Sequence, residues 1–544
     1  MRAFPWHRPL AIALSLVAVH VAGRAAFAGG VPDYRDVPRV TATDPAYFRA
    51  RLAAAEQSVV RVAMFGDSQE TAPWGWGEHY IAQLNARFAR VFGPAGESQL
   101  FTNHTATSRP YWLGTMVEHA AAAPSALPDS AVLPSLAARA LPAGGWSRTV
   151  FLHDASRCAH PPLQGGPWFD RTGPFVAEVL AVARAGAAPL AWRNAPVDGD
   201  EPDPLAPVVQ SGFFAANPKD PKLGFLWRAT PALSFAGRRH LQLALAGEPG
   251  KVAPEVVGVR FRSLSAHRGL VMQSFAAGGM RLSQLMSEHG GSGAMLRALA
   301  PSVAVIHYGA NDVGVVATTE AWRSDLLASI AWIRAAMQDP AFPVVIAAEL
   351  RTDGDAALLD LRDRFPVVAH EIALADSRVL ALNLRRVTEE EYGWGRSRRY
   401  LADSAHFQPY AQRMLAEAFV GELTRALGLH DPSCAAPNWA DCVRAWGASC
   451  QQGGCVLEPD FEVLEHGLPW QGAGTDCSDA DGDGFSDQCP PAGPGDFNLD
   501  GFVDAADLSI LLGSWGGGGS PADLDASGAV DAADLAMFLA LWGA

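Results

Sequence analysis

The chain has 544 residues, 49% of them hydrophobic, which is enough for several domains and a sizeable core. Its formal net charge is −15, and residues 476–544 hold 13 aspartates with no glutamate, lysine or arginine, so the acidity is concentrated at one end. No basic stripe exists to neutralise phosphates, which excludes a nucleic-acid binder.

The first element in chain order is Arg2 and Arg8 followed by the apolar run LAIALSLVAVHVAG and then AFAGG. That order of charged, apolar and small residues predicts a secretory signal over residues 1–28, cut after Ala28. The run is about 14 residues against the roughly 20 that span a bilayer, so a secreted or cell-surface protein with no stable membrane span after cleavage is expected. Residues 59–68 then read as a buried strand ending in Gly66-Asp67-Ser68, followed by a helical pattern near 76–92. From about 100 to 265 short β-rich runs appear, among them RTVFLHD, FVAEVLAVA, HLQLALAG and EVVGVRFRS, which predict a β-sandwich-like insertion.

After the insertion, strands at 302–309, 343–350 and 379–384 alternate with helices at 319–337 and 410–427. Such alternation implies a parallel sheet covered on both faces. Residues 431–475 show no clear period and read as a disulfide-pinned linker. Six of the seven cysteines (Cys434, Cys442, Cys450, Cys455, Cys477 and Cys489) cluster there and just beyond, as befits an exported chain. Cys477 and Cys489 flank one aspartate-rich loop and form the favoured pair, and Cys158 is left as a spare thiol.

Functional groups of a parallel sheet gather beyond the C-terminal ends of its strands. Ser68 stands at such an end. A serine nucleophile needs a base within reach and a group to orient that base. LADSAHFQPYAQRML supplies both, as Asp403 and His406, just ahead of the closing helix. Acyl transfer also needs donors for a developing oxyanion. HYGANDVG offers the Asn311 amide, and SFAAGGMRLSQL offers backbone N–H groups at Gly278 and Gly279.

Together these segments resemble the four sequence blocks of the SGNH (GDSL-type) hydrolase family, in the family's order. Gly66-Asp67-Ser68 matches the first, Gly279 the second, Gly309-x-Asn311-Asp312 the third and Asp403-x-x-His406 the last. The resemblance implies an α/β fold with a flavodoxin-like parallel sheet. It also implies Ser68 as nucleophile, His406 as general base, Asp403 as its orienter, and an oxyanion site of the Ser68 and Gly279 amides with the Asn311 side chain. The hydrolase domain then occupies residues 29–99 and 266–430, interrupted by a jelly-roll-like, carbohydrate-binding module at 100–265. That layout is similar to exported members of the family that deacetylate cell-wall glycans.

The tail contains an internal repeat: DFNLDGFVDAADLSILLGSWG (496–516) and DLDASGAVDAADLAMFLALWG (523–543) share 11 of 21 positions. Each opens with oxygen-bearing residues at alternate positions, has glycine at position six and ends on an acid at position twelve, the pattern of a calcium loop. The expected ligands are Asp496, Asn498, Asp500, Asp504 and Asp507 in the first, and Asp523, Asp525, Ser527, Asp531 and Asp534 in the second. The pair resembles a type I dockerin, which implies a small α-helical, EF-hand-like domain over 496–544 and a cohesin-like or cell-surface partner. Ala505-Ala506 and Ala532-Ala533 stand where that family often places polar recognition residues. DADGDGFSDQC within 476–495 resembles a thrombospondin type 3 loop, with Asp479, Asp481, Asp483 and Asp487 as ligands. Calcium is thus expected as a structural ion, with no cofactor for catalysis.

The expected activity is that of an exported serine esterase acting on O-acyl, foremost O-acetyl, esters of an acylated carbohydrate. The competing readings are an O-acetyltransferase on the same fold and an inert surface binding protein that uses its insertion and tail.

Overall fold

The computed structural model describes residues 33–67, 80–98, 100–102, 115–120, 122–124, 131–134, 136, 138–152, 174–197, 205–214, 224–234, 236, 238, 240–249, 252–309, 311–312, 318–348, 363–394, 400, 406–429, 446–451, 454–459, 477–478, 494–497, 503, 505–517, 520 and 522–542. The predicted signal at 1–28 lies outside these residues.

The strands in chain order are β1 (Val40–Ala42), β2 (Val59–Gly66), β3 (Phe101–Thr102), β4 (Thr115–Ala120), β5 (Ala123–Pro124), β6 (Arg139–Ala140), β7 (Trp146–Leu152), β8 (Phe175–Ala183) and β9 (Leu190–Asn194). There follow β10 (Gln210–Phe213), β11 (Gly224–Ala229), β12 (His240–Gly247), β13 (Glu255–Ser263), β14 (Gly269–Ser274), β15 (Val303–His307), β16 (Val344–Ala348), β17 (Val379–Asn383), β18 (Trp446–Gln451) and β19 (Gly454–Pro459).

The chain is an α/β protein whose main sheet has the order β1-β17-β16-β15-β2-β14. Every pair from β17 to β14 is parallel, and β1 closes one edge antiparallel. The core strands read VAVIH, VVIAA and VLALN and are buried at every position. A strand covered on both faces has no polar side, so its sequence is a continuous apolar run.

Successive residues nonetheless go to different cores. Val60, Val62, Met64, Val303, Val305, Leu380 and Leu382 pack with the helices Tyr80–Phe92 and Pro409–Leu427. Ala63, Phe65, Ala304, Ile306, Val344, Ile346 and Ala381 pack with the helices Leu282–His289, Gly293–Leu299, Thr319–Met337 and Phe365–Ala375. The helix Thr319–Met337 starts where the Thr318 hydroxyl accepts from Ala321 N–H and stops at Gln338 in the left-handed region.

Between β2 and β14 the chain builds two antiparallel sheets, β10-β9-β12-β7-β4 and β11-β8-β13-β6-β5, with β3 paired to β13. Leu241, Leu243 and Leu245 of β12 share one core with Ala177 and Val179 of β8 and Val259 and Phe261 of β13, so the sheets pack face to face. Entry and exit of this segment lie side by side: Gly96 N–H donates to Arg268 O at 2.7 Å and Ser263 N–H to Gly96 O at 2.9 Å. A charge network joins it to the main sheet. Arg61 of β2 forks onto Glu97 through two 2.6 Å bonds, Arg260 of β13 bonds Glu97 at 2.9 Å and Glu178 at 2.7 Å, and Arg262 bonds Glu178 at 2.9 Å.

One expectation for the region after residue 430 is corrected. The stretch read as a disulfide-pinned linker contains a hairpin, β18 against β19, with Cys450 opposite Cys455. Cys477 is bonded to Cys455, 22 residues earlier, and not to Cys489. The hairpin brings Cys455 to a Cα separation of 5.5 Å from Cys477, which proximity along the sequence does not reveal. The tail itself holds two helices, Ala505–Gly513 and Ala532–Ala540, around Val503, Leu511, Ala522, Val530 and Phe538. Among the described residues no helix is long and apolar enough to cross a membrane.

Candidate active site

The register of the parallel sheet decides which loops can meet. His307, the last residue of β15, is the partner of Gly66, the last of β2, so the turn that leads to Ser68 and the loop that carries Asn311 leave the sheet side by side. Past the end of β14, Phe275 N–H still donates to Met64 O at 2.7 Å and Ala277 N–H to Gly66 O at 3.3 Å. The loop with Gly278 and Gly279 is therefore tied to the same strand end. Ser68 lies outside the described residues, one position beyond Asp67, which is 1% exposed.

Gly279 has φ +75°, the left-handed region, and a Cβ built on it would meet nothing within 4 Å. Glycine is required there by backbone conformation rather than by lack of space, and its open side leaves an approach to its backbone. Asn311 is half-buried, and its Nδ2 donates to Met280 O at 3.2 Å, next to Gly279. The structure thus brings these two predicted residues together. An amide nitrogen carries two hydrogens, so one can hold this loop while the other serves an incoming oxygen.

His406 is half-buried and lies three positions ahead of the first residue of the helix Pro409–Leu427. Near the other end of that helix, Glu422 accepts from Arg39 at 2.8 Å, and Arg39 O in turn accepts from Asn383 N–H at the C-terminal end of β17. The far half of this helix is thereby tied, through Arg39, to the β17 edge of the sheet. Asp403 lies outside the described residues.

Asp312 belongs to the third sequence block, but the sequence by itself assigns it no role. Its side chain is fully buried, Oδ1 accepts from Leu282 N–H at 3.1 Å, and Oδ2 has no partner among the described residues. Burial pushes this carboxyl up to about 6, with Asp325 adding to the rise and the Leu282 N–H and Arg281 opposing it. The one signal in the sequence is an aspartate shortly after a Gly-Ala pair at a strand end, without a basic neighbour to pair it. His307, 1% exposed, and Tyr80 also pack against each other, ring centroids 6.0 Å apart, beside the Gly66 turn.

In the tail, the carboxylates of Asp523, Asp525 and Asp534 converge, their ligand atoms all within 4.8 Å of one another. Ser527 N–H donates to Asp523 at 2.9 Å and to Asp525 at 3.0 Å, and Gly528, at φ +97°, turns the loop and donates to Asp523 at 2.9 Å. Asp531 stands apart from this trio and caps the last helix through a 2.7 Å bond from Ala533 N–H. In the first repeat Asp507 is buried and accepts from Phe497 N–H at 2.7 Å, and Asp496 is buried as well. Asn498, Asp500, Asp504, Asp479, Asp481, Asp483 and Asp487 lie outside the described residues.

No family model matches the chain, and no curated protein matches it. Solved structures similar to it include a peptidoglycan O-acetylesterase, at 14% identity over 72% of this chain and 99% of that one, TM-score 0.47. A family two carbohydrate esterase from Clostridium thermocellum, in complex with cellohexaose, is similar at 11% identity over 54% and 95%, TM-score 0.25. A member of the lipolytic G-D-S-L family from Veillonella parvula is similar at 18% identity over 29% and 81%, TM-score 0.23.

Proposed function

We propose that the chain is an exported serine esterase that removes O-acyl groups, acetyl foremost, from a polysaccharide or cell-wall glycan. The observation that carries this reading is the shared strand edge. The Gly66-Asp67 turn, the Gly279 loop tied to it and Asn311 leave one end of one sheet, and His406 lies just ahead of the closing helix Pro409–Leu427. In the proposed reaction Ser68 Oγ attacks the ester carbonyl as His406 takes its proton, with Asp403 orienting the imidazole. The Ser68 and Gly279 N–H groups and the Asn311 amide would hold the oxyanion. Collapse expels the sugar hydroxyl, which regains the proton from His406, and water activated by the same imidazole then releases the acid. An acetyltransferase would differ only in the second acceptor, a sugar hydroxyl in place of water.

The two-sheet insertion is proposed as a jelly-roll-like module that grips the glycan. The tail is proposed to bind calcium in its repeats and in the 479–487 loop. The converging trio of Asp523, Asp525 and Asp534 fits a hard cation, which would neutralise their mutual repulsion and fix the loop. The tail exposes Ile510, Leu512 and Trp515 on and just after its first helix and, at the matching repeat positions, Met537, Leu539 and Trp542. That duplicated apolar surface supports a cohesin-like or cell-surface partner.

Turnover of a short-chain p-nitrophenyl ester by wild type and Ser68→Ala tests the activity: the variant should lose at least about 10³-fold in kcat. Equal rates would remove the assignment. Acetate release from acetylated xylan against acetylated peptidoglycan then identifies the glycan.

A further inference from the structure

The loop from Ala277 to Leu282 is held at both ends. At its front, Ala277 N–H is bonded to Gly66 O of the strand that leads to Ser68. At its rear, Leu282 N–H, the first of the helix Leu282–His289, is bonded to Asp312 Oδ1 at 3.1 Å. Between the ties sits Gly279 in its left-handed conformation, and Met280 O accepts from Asn311. The Tyr308 hydroxyl lies 3.4 Å from Met280 Sδ and adds a third, weaker contact from the same side.

We propose that Asp312 is the positioning residue of the oxyanion site, its carboxyl anchoring the rear of the Gly279 loop so that the Gly279 N–H and the Asn311 amide face one point. This deepens the ester-hydrolase reading above and rests on it. A fully buried carboxyl with a single side-chain bond among the described residues is a costly way to start a helix, since serine or asparagine would serve at the surface. Here the group belongs to the loop after β15, 30 residues further along, and its bond reaches across to the loop after β14. It therefore fixes the distance between the two segments that supply oxyanion donors. Such donors act only when they are aimed at the developing charge, and a displacement of about 1 Å costs on the order of 10²-fold. Because the donors matter most in the transition state, the loss falls on kcat and leaves KM in place.

The test compares Asp312→Ala and Asp312→Asn in the full-length chain with p-nitrophenyl acetate, alongside the rate of labelling by a fluorophosphonate probe. Asp312→Ala should lower kcat about 10–100-fold with KM within about threefold, and should slow labelling in parallel. Asp312→Asn keeps an oxygen for Leu282 N–H and should restore kcat to within about threefold of wild type. Wild-type kcat in Asp312→Ala overturns the proposal. So does a loss shared equally by both variants and matched by a fall in folded fraction on circular dichroism. If wild type and Ser68→Ala are alike in turnover and labelling, the esterase reading itself has failed, and the proposal goes with it.

Discussion

Asp312 shows how one side chain can serve geometry at the expense of stability. Its carboxyl is raised to about 6 by burial, whereas in the unfolded chain it titrates as an ordinary aspartate near 3.9. Between those values the folded state holds the proton and the unfolded state does not, so its contribution to stability falls as pH rises from about 4 to about 6. Above that the folded protein carries the whole cost of the buried charge, on the order of 3 kcal/mol. Asp312→Asn should therefore melt higher than wild type at pH 8 and level with it at pH 4. A difference independent of pH would show that the carboxyl is not buried as described. Gly279 and Asn311 could be singled out in the sequence because glycine-rich turns and amides after strands are recognisable types. Asp312 could not, because its role depends on a partner 30 residues away.

At the level of elements, the parallel strands were the most legible part of the chain. VAVIH, VVIAA and VLALN are apolar throughout because both faces are covered, and a run this short between turn residues fits a buried strand better than a helix. The hairpin of β18 and β19 escaped because its strands lie among glycines, prolines and cysteines that suggest no period. The contacts between the insertion and the sheet were also invisible, since they depend on charges brought together from positions 61, 97, 178, 260 and 262. Glu97 is central to them: it is 1% exposed and faces two guanidinium groups. Glu97→Ala would leave Arg61 and Arg260 without their shared counter-charge and should cost about 3–5 kcal/mol, read as a shift in the urea midpoint. A change below about 1 kcal/mol would mean that the network contributes little to the join.

For the whole molecule, the acidity that stands out in the composition is confined to residues 476–544 and leaves the rest of the chain close to neutral. The tail holds two helices, and the structure holds Asp523, Asp525 and Asp534 close enough to share one ion while Asp531 serves a helix cap. Adding calcium to the chelator-treated chain should raise tail helicity and protect residues 496–542 from proteolysis, whereas identical digestion patterns would count against bound calcium. The proposed esterase stands or falls on whether pieces far apart in sequence form one nucleophile, base and oxyanion site. Mass spectrometry of the intact chain after a fluorophosphonate probe decides this. A single adduct is expected, on Ser68, absent in Ser68→Ala and at least about 10²-fold slower to form in His406→Ala. An adduct on another residue, or one whose rate ignores His406, would refute the assignment.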